Sequence, residues 1–500
     1  MSRYNFYYDE SEHSRKINQK TITAENYSDS FIAVVVGWLS ENQADLYERY
    51  TAFEEKYKNR QSNGELKSTA IKQNQLKSGF ASLNNDNISL LEDFLGLFDE
   101  RIFVYYAVIS KIEYIIQQLF EDYENSLFVD MDAMKYSITK ALVVYQPSDI
   151  MAGLYENTGE LIALLRNFFS AQIEKDKAND KLKQQEIKQF NQILMLLNDV
   201  SIIRTVEWNY DIPFVGFKKY LAEKAIHTYS LIIDKEGENG NTAKAAIRVG
   251  LCEVSEADSL ASCGIRMADM LAGIISKLLK AINSALRYTS QEDQVHKKIL
   301  DKSWFLINER QLALYKKMHH VAVALNKAWY KAFAGTYADD LIGFIALLGF
   351  MNQFESVEEI KRNLDMQGEY CNAYTCESLA GYHARMQHKL PIDPVGDISK
   401  DYFLNQRGAK IYFDIARQPM LEFKNGQRIC DVLAVGLSKE MVPTITVTEG
   451  ADEPIKCYRI PTELSEWAMT LVGFADRGEN LFPSKVVFTK TADGCYADIL

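Results

Sequence analysis

Residues 4–11 read YNFYYDES, an aromatic, apolar run that stops in two adjacent acids, Asp9 and Glu10. Aromatic side chains favour a strand and aspartate ends one, so residues 4–9 are predicted as a strand with carboxylates at its C-terminal end. Working outward, FIAVVVGWL (31–39) is nearly continuous in apolar residues, the pattern of a strand buried on both faces. A polar helix is predicted over Gln43–Tyr57, then a turn at SNG (62–64) and a short strand at ELKS (65–68). Helical spacing over Ser89–Phe98 leads into IFVYYAVI (102–109), a third strand.

From 110 to 200 the pattern is helical. The apolar faces LIALLRNFF (161–169) and FNQILMLL (190–197) flank the mixed-charge stretch EKDKANDKLKQQE (174–186), and together they predict an inserted helical hairpin. A strand returns at HTYSLIID (227–234), closing on Asp234; helix 242–248, strand GLCEV (250–254) and a long helix from Ile265 to Leu286 follow. Residues 286–389 are predicted as a helical region. Residues 390–500 are predicted as a β-rich domain carrying KIYFDI, TITVTE, IKCYRI and KVVFTK.

Bulk properties set the outer bounds. A chain of 500 residues exceeds one hydrophobic core and predicts two or three domains. The opening MSRYNFYYDE lacks the basic start and apolar stretch of a signal peptide, and the longest apolar run, LIGFIALLGFM (341–351), is too short to span a bilayer as a helix. A soluble protein with no membrane partner is therefore expected. Seven cysteines without paired spacing favour a reducing cytoplasm. A net charge of −12 argues against coating duplex nucleic acid by bulk attraction, and leaves room for a local groove. The segment Lys56–Lys77 carries Lys56, Lys58, Arg60, Lys67, Lys72 and Lys77 against Glu65, a pattern that suits a solvated surface.

Four acids share a context. Asp9 and Asp234 end strands, Glu65 opens a short one, and Asp269 lies in IRMADMLAGIISKLLKAI between Met267 and Met270. An aspartate beside an apolar helical face is costly to bury unless it is paired or bound to a cation. Oxygen-rich sites suit Mg²⁺ or Mn²⁺, and two such ions activate an attacking water and stabilise the leaving oxygen of a phosphodiester. Strand-end aspartates also serve as turn residues, and Asp269 has Lys277 as an alternative partner. Spacing alone does not bring residues 9, 65, 234 and 269 together.

The opening YYDESEHS resembles the strand–DESG start of the domain-of-unknown-function 3800 family, whose members are predicted to have a ribonuclease H-like fold. LIID (231–234) resembles that family's apolar strand ending in aspartate, and DSLASCGIRMADMLAG (258–273) its acid–Ser segment leading into QLADLLAG. ELK (65–67) resembles its short acid-bearing element, and all the blocks occur in the family's order. The resemblance implies an α/β fold: a ribonuclease H-like mixed sheet over residues 1–285 with a large helical insertion, followed by the helical region and the β-rich domain. It implies a nuclease that uses Mg or Mn, with two ions expected, on RNA or DNA, and a role in defence against phage or mobile elements.

Carried over residue by residue, the resemblance makes Asp9, Glu65, Asp234 and Asp269 the catalytic acids. Asp9, Asp234 and Asp269 are the implied metal ligands; Glu10 is a weaker one, because successive strand residues face opposite sides. Lys67, Arg266 and Ser259 form the substrate-side set: Lys67 contacts a phosphate, and Ser259 caps or orients the last helix. Arg266, where the family has glutamine, either engages phosphate or neutralises a neighbouring acid, and Glu12 replaces the family's glycine.

Other motifs carry less. Cys371, Cys376, His383 and His388 have zinc-ligand chemistry in a spacing that matches no zinc module, and the adjacent pair His319–His320 would aim its rings apart on a helix. Trp208, Tyr210 and Phe214 are candidates to stack bases, although packing is the commoner fate of such rings. No P-loop, G-x-S-x-G or G-x-G-x-x-G occurs. The expectation is a metal-dependent nuclease with nucleic acid as partner and a further protein contact through residues 286–500. A non-catalytic nucleic-acid-binding or assembly protein of the same fold is the alternative, and a phosphodiesterase of soluble nucleotides a third reading. Oligomeric state is not legible.

Overall fold

The computed structural model describes residues 3–11, 27–123, 130–154, 158–198, 200, 206, 211–235, 240–288, 290, 292–387, 402–404, 410–412, 418–423, 426–437, 442–448, 456–476, 481–491 and 494–500. Two compact units emerge, one of Met1–Asp122 with Ala133–Ala384, the other of Tyr123–Asp132 with Arg385–Leu500.

The first unit is built on a mixed sheet of six strands: β1 (Tyr4–Ser11), β2 (Ser30–Leu39), β3 (Phe103–Ser110), β4 (Tyr229–Asp234), β5 (Val254–Ala257) and β6 (Ala332–Phe333). Their order is β5–β4–β1–β2–β3–β6. β1–β2 and β2–β3 are antiparallel, while β1–β4, β4–β5 and β3–β6 are parallel. Both faces are covered, which is why β2 is apolar at nearly every position. Tyr7, Val34, Val36 and Tyr106 look into one core with the long helix Cys263–Leu286; Phe6, Tyr8, Val35 and Tyr105 look into the other with the helix Asp211–Glu223. Here α1 is Gln43–Lys56, α2 Asp211–Glu223, α3 Cys263–Leu286, α4 Asp339–Asn352 and α5 Gln367–Gln387.

Helix α3 lies close on the sheet because Gly264 faces Tyr7: a Cβ at that glycine would stand 2.3 Å from the tyrosine ring. Its remaining surface is also apolar, with Ile274, Leu278 and Ile282 buried, and it takes Leu341, Phe344 and Leu348 of α4 into the same core. The helices from 286 to 384 are thus part of the first unit rather than a region of their own. Helices that cannot bury an apolar face alone bury it on the nearest one that also needs cover.

Between β3 and α2 the described residues are mainly helical, as expected for the insertion. Thr158–Asp176 and Asp180–Leu197 form an antiparallel pair in which the rings of Phe169 and Phe190 lie 4.9 Å apart. The charged stretch 174–186 is mostly helix, turning only at Lys177–Asn179.

The second unit carries an antiparallel sheet in the order Lys456–Arg459, Pro443–Thr448, Gln427–Leu437, Ser484–Thr491, Gly494–Ile499. Helix α6 (Ser465–Asp476) packs on it, with Trp467 edge-on to Phe488 at 5.6 Å. Among the described residues no helix is long and apolar enough to cross a membrane.

Candidate functional site

β1 and β4 run parallel with Tyr8 the last residue in register, opposite Ile233, so Asp9 and Asp234 come next on neighbouring strands; Asp234 closes β4, while β1 runs on beyond Asp9 to Ser11. Neighbouring strands lie ~4.8 Å apart, and residues directly across share a face. Tyr7 and Ile232 both belong to the α3 side of the sheet, which puts Asp9 and Asp234 on that side as well. Each aspartate accepts the next residue's backbone N–H: Glu10 to Asp9 at 2.6 Å and Lys235 to Asp234 at 3.0 Å. Burial is the main influence that pushes the Asp234 carboxyl above the ordinary aspartate range; Glu65 and Asp258 raise it further, and Lys67 lowers it.

The third acid comes from α3. Gly273, one helical turn beyond Asp269, is pressed against Ser68, where an added Cβ would lie 2.0 Å from the serine hydroxyl. Residues four apart share a helix face, so Asp269 looks toward the segment just before Ser68. That segment carries Glu65 and Lys67. It is not a strand: Ser62 and Glu65 make a single bridge across a two-residue turn, with Asn63 (φ 54°) and Gly64 (φ 84°) in the left-handed region. From Ser68 the chain coils into a 3₁₀ turn. The Asn-Gly pair is the sequence signature of this turn, and after it the backbone has no further strand partner.

Glu65 is buried and held from two sides. Ser259 donates its hydroxyl to Oε1 at 2.6 Å, and the Lys67 ammonium lies 2.9 Å from Oε2. The bond to Glu65 is the first of the influences that hold the Lys67 ammonium above the usual lysine range, and the fields of Asp269 and Asp234 add to it. One half-exposed lysine therefore sits within the field of Glu65, Asp234 and Asp269, contributed by three distant parts of the chain.

Arg266 is held by an acid of its own chain. Its guanidinium binds Glu54 of α1 with two parallel hydrogen bonds, 2.9 Å from Nε and 2.8 Å from Nη2. Nη1 donates to the carbonyls of Ser259 (2.6 Å) and Leu260 (3.0 Å), and the group lies over the Tyr50 ring. These bonds are directed inward, and they fix the loop from which Ser259 reaches Glu65. Ser259 accordingly orients an acid of the site rather than the substrate or the helix, which begins after Ser262. Arg266 neutralises a neighbouring acid, the second of the two roles open to it.

Glu10 is separated from the site. It lies on the α2 side of the sheet, buried, and accepts a hydrogen bond from the Tyr8 hydroxyl at 2.8 Å. Strand parity makes this unavoidable once Asp9 faces α3, so Glu10 is withdrawn as a ligand beside Asp9. Glu12, Trp208, Tyr210 and His388 lie outside the described residues. Phe214 is buried in the α2 core against Tyr8, its ring 4.9 Å away, so it packs rather than stacks on a base. Cys371, Cys376 and His383 all lie along α5, with Cys371 buried, Cys376 exposed and the His383 ring against Tyr136. Much of the basic run is also spoken for: Lys56 pairs with Asp93 and Lys58 with Glu55, while Arg60 donates to Asn87 and the Ala70 carbonyl. Glu54 is the member of this neighbourhood that the sequence reading did not flag, and Asp258 was noted only as part of the acid–Ser segment. The one available signal for Glu54 was its place among Tyr50, Phe53 and Tyr57 on an apolar stripe.

The carboxylates have the right chemistry for a hard divalent cation. Among the described residues, however, no group of three or more His, Cys, Asp or Glu side chains is arranged to hold a metal ion. The group drawn in among these acids is Lys67. Compared with family models, curated proteins and solved structures, the chain matches none.

Proposed function

We propose that this chain is a metal-dependent nuclease that hydrolyses phosphodiester bonds of RNA or DNA on a ribonuclease H-like domain. Two observations support the reading: Asp9 and Asp234 follow paired residues of adjacent parallel strands on the α3 side of the sheet, and Glu65, Asp234 and Asp269, 204 residues apart at their extremes, all lie within the field of Lys67. The sheet supports it, because its first strand is central, flanked by an antiparallel neighbour and a parallel one. Asp9, Asp234 and Asp269 would hold Mg²⁺ or Mn²⁺, which supplies a polarised water and a counter-charge for the leaving oxygen. Burial and like-charged neighbours make such a cluster receptive to a cation. Glu65 and Lys67, steadied by Ser259 and Arg266, form the wall beside it.

The test uses the full chain with labelled RNA and DNA, in Mn²⁺ or Mg²⁺, with and without EDTA. Cleavage should depend on the ion. Asp9→Asn should lower it by at least about 100-fold with an unchanged melting temperature, since removing a group that acts in the transition state costs on this order. Glu10→Gln should keep activity and lose stability. Equal activity in Asp9→Asn and wild type would defeat the assignment. The position of Lys67 favours one second reading, a non-catalytic nucleic-acid-binding protein whose acids are neutralised internally; binding without cleavage under every metal would select it.

A further inference from the structure

Helix α3 is buried along most of its length. From Cys263 to Ile282 only Arg266, Asp269, Lys277 and Lys280 escape burial. With the buried Gly273 between them, their spacing is three and four residues, so they form one open seam along one face of the helix. The seam begins at the clamped Arg266 and at Asp269, then continues into the two lysines. Residues 66–80 run beside it. Ser68 is wedged against Gly273, the Gln73 side chain donates to the Lys277 carbonyl at 3.0 Å, and Ile71, Leu76 and Phe80 share the core with α3. This flanking segment exposes Lys67, Lys72 and Lys77. The chain passes 273 and 277 in the order 68, 73, so the lysines of the flank accompany those of the seam.

Beyond Glu65 and Asp269 both segments lack acids. No aspartate or glutamate occurs between Leu66 and Asn85 or between Met270 and Leu286, in a chain where Asp and Glu outnumber Lys and Arg 68 to 56. A seam that needed only solvation would be served by glutamate as well as by lysine. A strip of one sign is complementary to a polyanion. Resting on the nuclease reading above, we propose that the α3 seam, with the 66–80 segment beside it, is the track for the backbone of a nucleic-acid strand on one side of the bond to be cut. From Asp269 to Lys280 the helix rises ~16 Å, room for several successive phosphates. The substrate is then a polymer rather than a soluble nucleotide. Lysine meets phosphate as a point charge, so this strip positions the strand and reads no bases.

Fluorescence anisotropy tests this, with labelled RNA and DNA, single-stranded and duplex, titrated with the full chain in EDTA over a range of salt. Wild type is compared with two double variants, Lys277→Gln with Lys280→Gln and Lys72→Gln with Lys77→Gln, each first shown to melt within a few degrees of wild type. Lys361→Gln, an exposed lysine paired with Glu358, is the control. Each double variant should bind on the order of tenfold more weakly at 0.1 M salt, and its slope of log affinity against log salt should fall by about 1.4–1.8, the share of two lost phosphate contacts. Lys361→Gln should match wild type. Wild-type affinity should also rise several-fold from a strand of about 4 nucleotides to one of about 20, because the track spans several phosphates. Wild-type affinity and slope in both double variants overturn the track, and cleavage by wild type in Mn²⁺ would leave the nuclease reading standing. A wild type that binds no oligonucleotide overturns the track; if it also cuts none, the nuclease reading falls with it.

Discussion

Replacing Arg266 with methionine separates a positioning role from a substrate-binding one. The arginine is 14% exposed and its partner Glu54 is 9% exposed, so their two hydrogen bonds, at 2.9 and 2.8 Å, are largely shielded from water. Methionine fills the same volume against Tyr50 and leaves the Glu54 carboxylate buried without its counter-charge. Removing one partner of a buried pair costs ~3–5 kcal/mol, most of it the desolvation of the charge left behind. The carbonyls of Ser259 and Leu260 lose their donor as well, adding ~1 kcal/mol or more. Urea denaturation should therefore show Arg266→Met destabilised by about 4–6 kcal/mol. Adding Glu54→Gln should recover ~2 kcal/mol or more, because the stranded charge is gone. Arg266→Lys should fall between the two, since an ammonium cannot make the parallel pair. A loss below about 1 kcal/mol for Arg266→Met, or a double variant no better than the single, would refute the clamp. An activity loss without a stability loss would return Arg266 to the substrate.

Two further outcomes follow from the packing. Asp340, at the start of α4, is half-buried beside Asp29 and Asp339 and accepts from Ser30 and Asn283; loss of water around it first, then those neighbouring acids, raise its carboxyl to about 6. A folded value above the unfolded 3.8 means the native state holds its proton longer, so this group favours the fold fully below pH ~4 and the benefit disappears as pH rises to about 6. Asp340→Asn should thus gain on wild type by an amount on the order of 3 kcal/mol above pH 6.5, the gap closing toward pH 4 in urea melts; a gap independent of pH would refute it. Gly273→Ala places a Cβ 2.0 Å from Ser68 Oγ and 2.2 Å from its Cβ. Although alanine is the better helix former by about 1 kcal/mol, the clash should win, lowering thermal stability by ~1–3 kcal/mol and shifting the Lys67 segment; a more stable variant would show that the contact yields.

The strongest periodicities were the most legible. β1, β2, β3, β4 and α3 lie within a few residues of where alternating or continuous apolar patterns put them. The strand expected at 250–254 forms instead at Val254–Ala257, after a turn at Gly250 (φ 86°) that the local apolar residues concealed. ELKS fails because the Asn-Gly turn before it gives Glu65 a single bridge and no longer ladder. Gln427–Leu437 and Gly494–Ile499 were missed as strands, since outward-facing Asp431 and Asp498 dilute their apolar signal. Glu54 was hard to read for a different reason: its place on an apolar stripe hinted at burial, but hydropathy marks it as surface, and its partner lies 212 residues away.

The split between Asp9 and Glu10 shows where sequence reasoning ends. Period-two alternation guarantees that the two carboxylates part, but it says nothing about which side holds the site. That choice depends on which face of β1 the long helix covers, and the deciding residue is Gly264. Any larger residue there would meet the Tyr7 ring at 2.3 Å and lift α3, with Asp269 on it, away from the sheet. Tyr7 and Asp9 share a face, so the helix that packs on the tyrosine delivers its aspartate to the same side. Meanwhile β4 runs parallel to β1 in a register that pairs Tyr8 with Ile233, and so brings Asp234 up next to Asp9. The convergence of acids therefore rests on one glycine, one parity and one strand direction. Spacing reveals none of these, because each is a property of which surfaces meet.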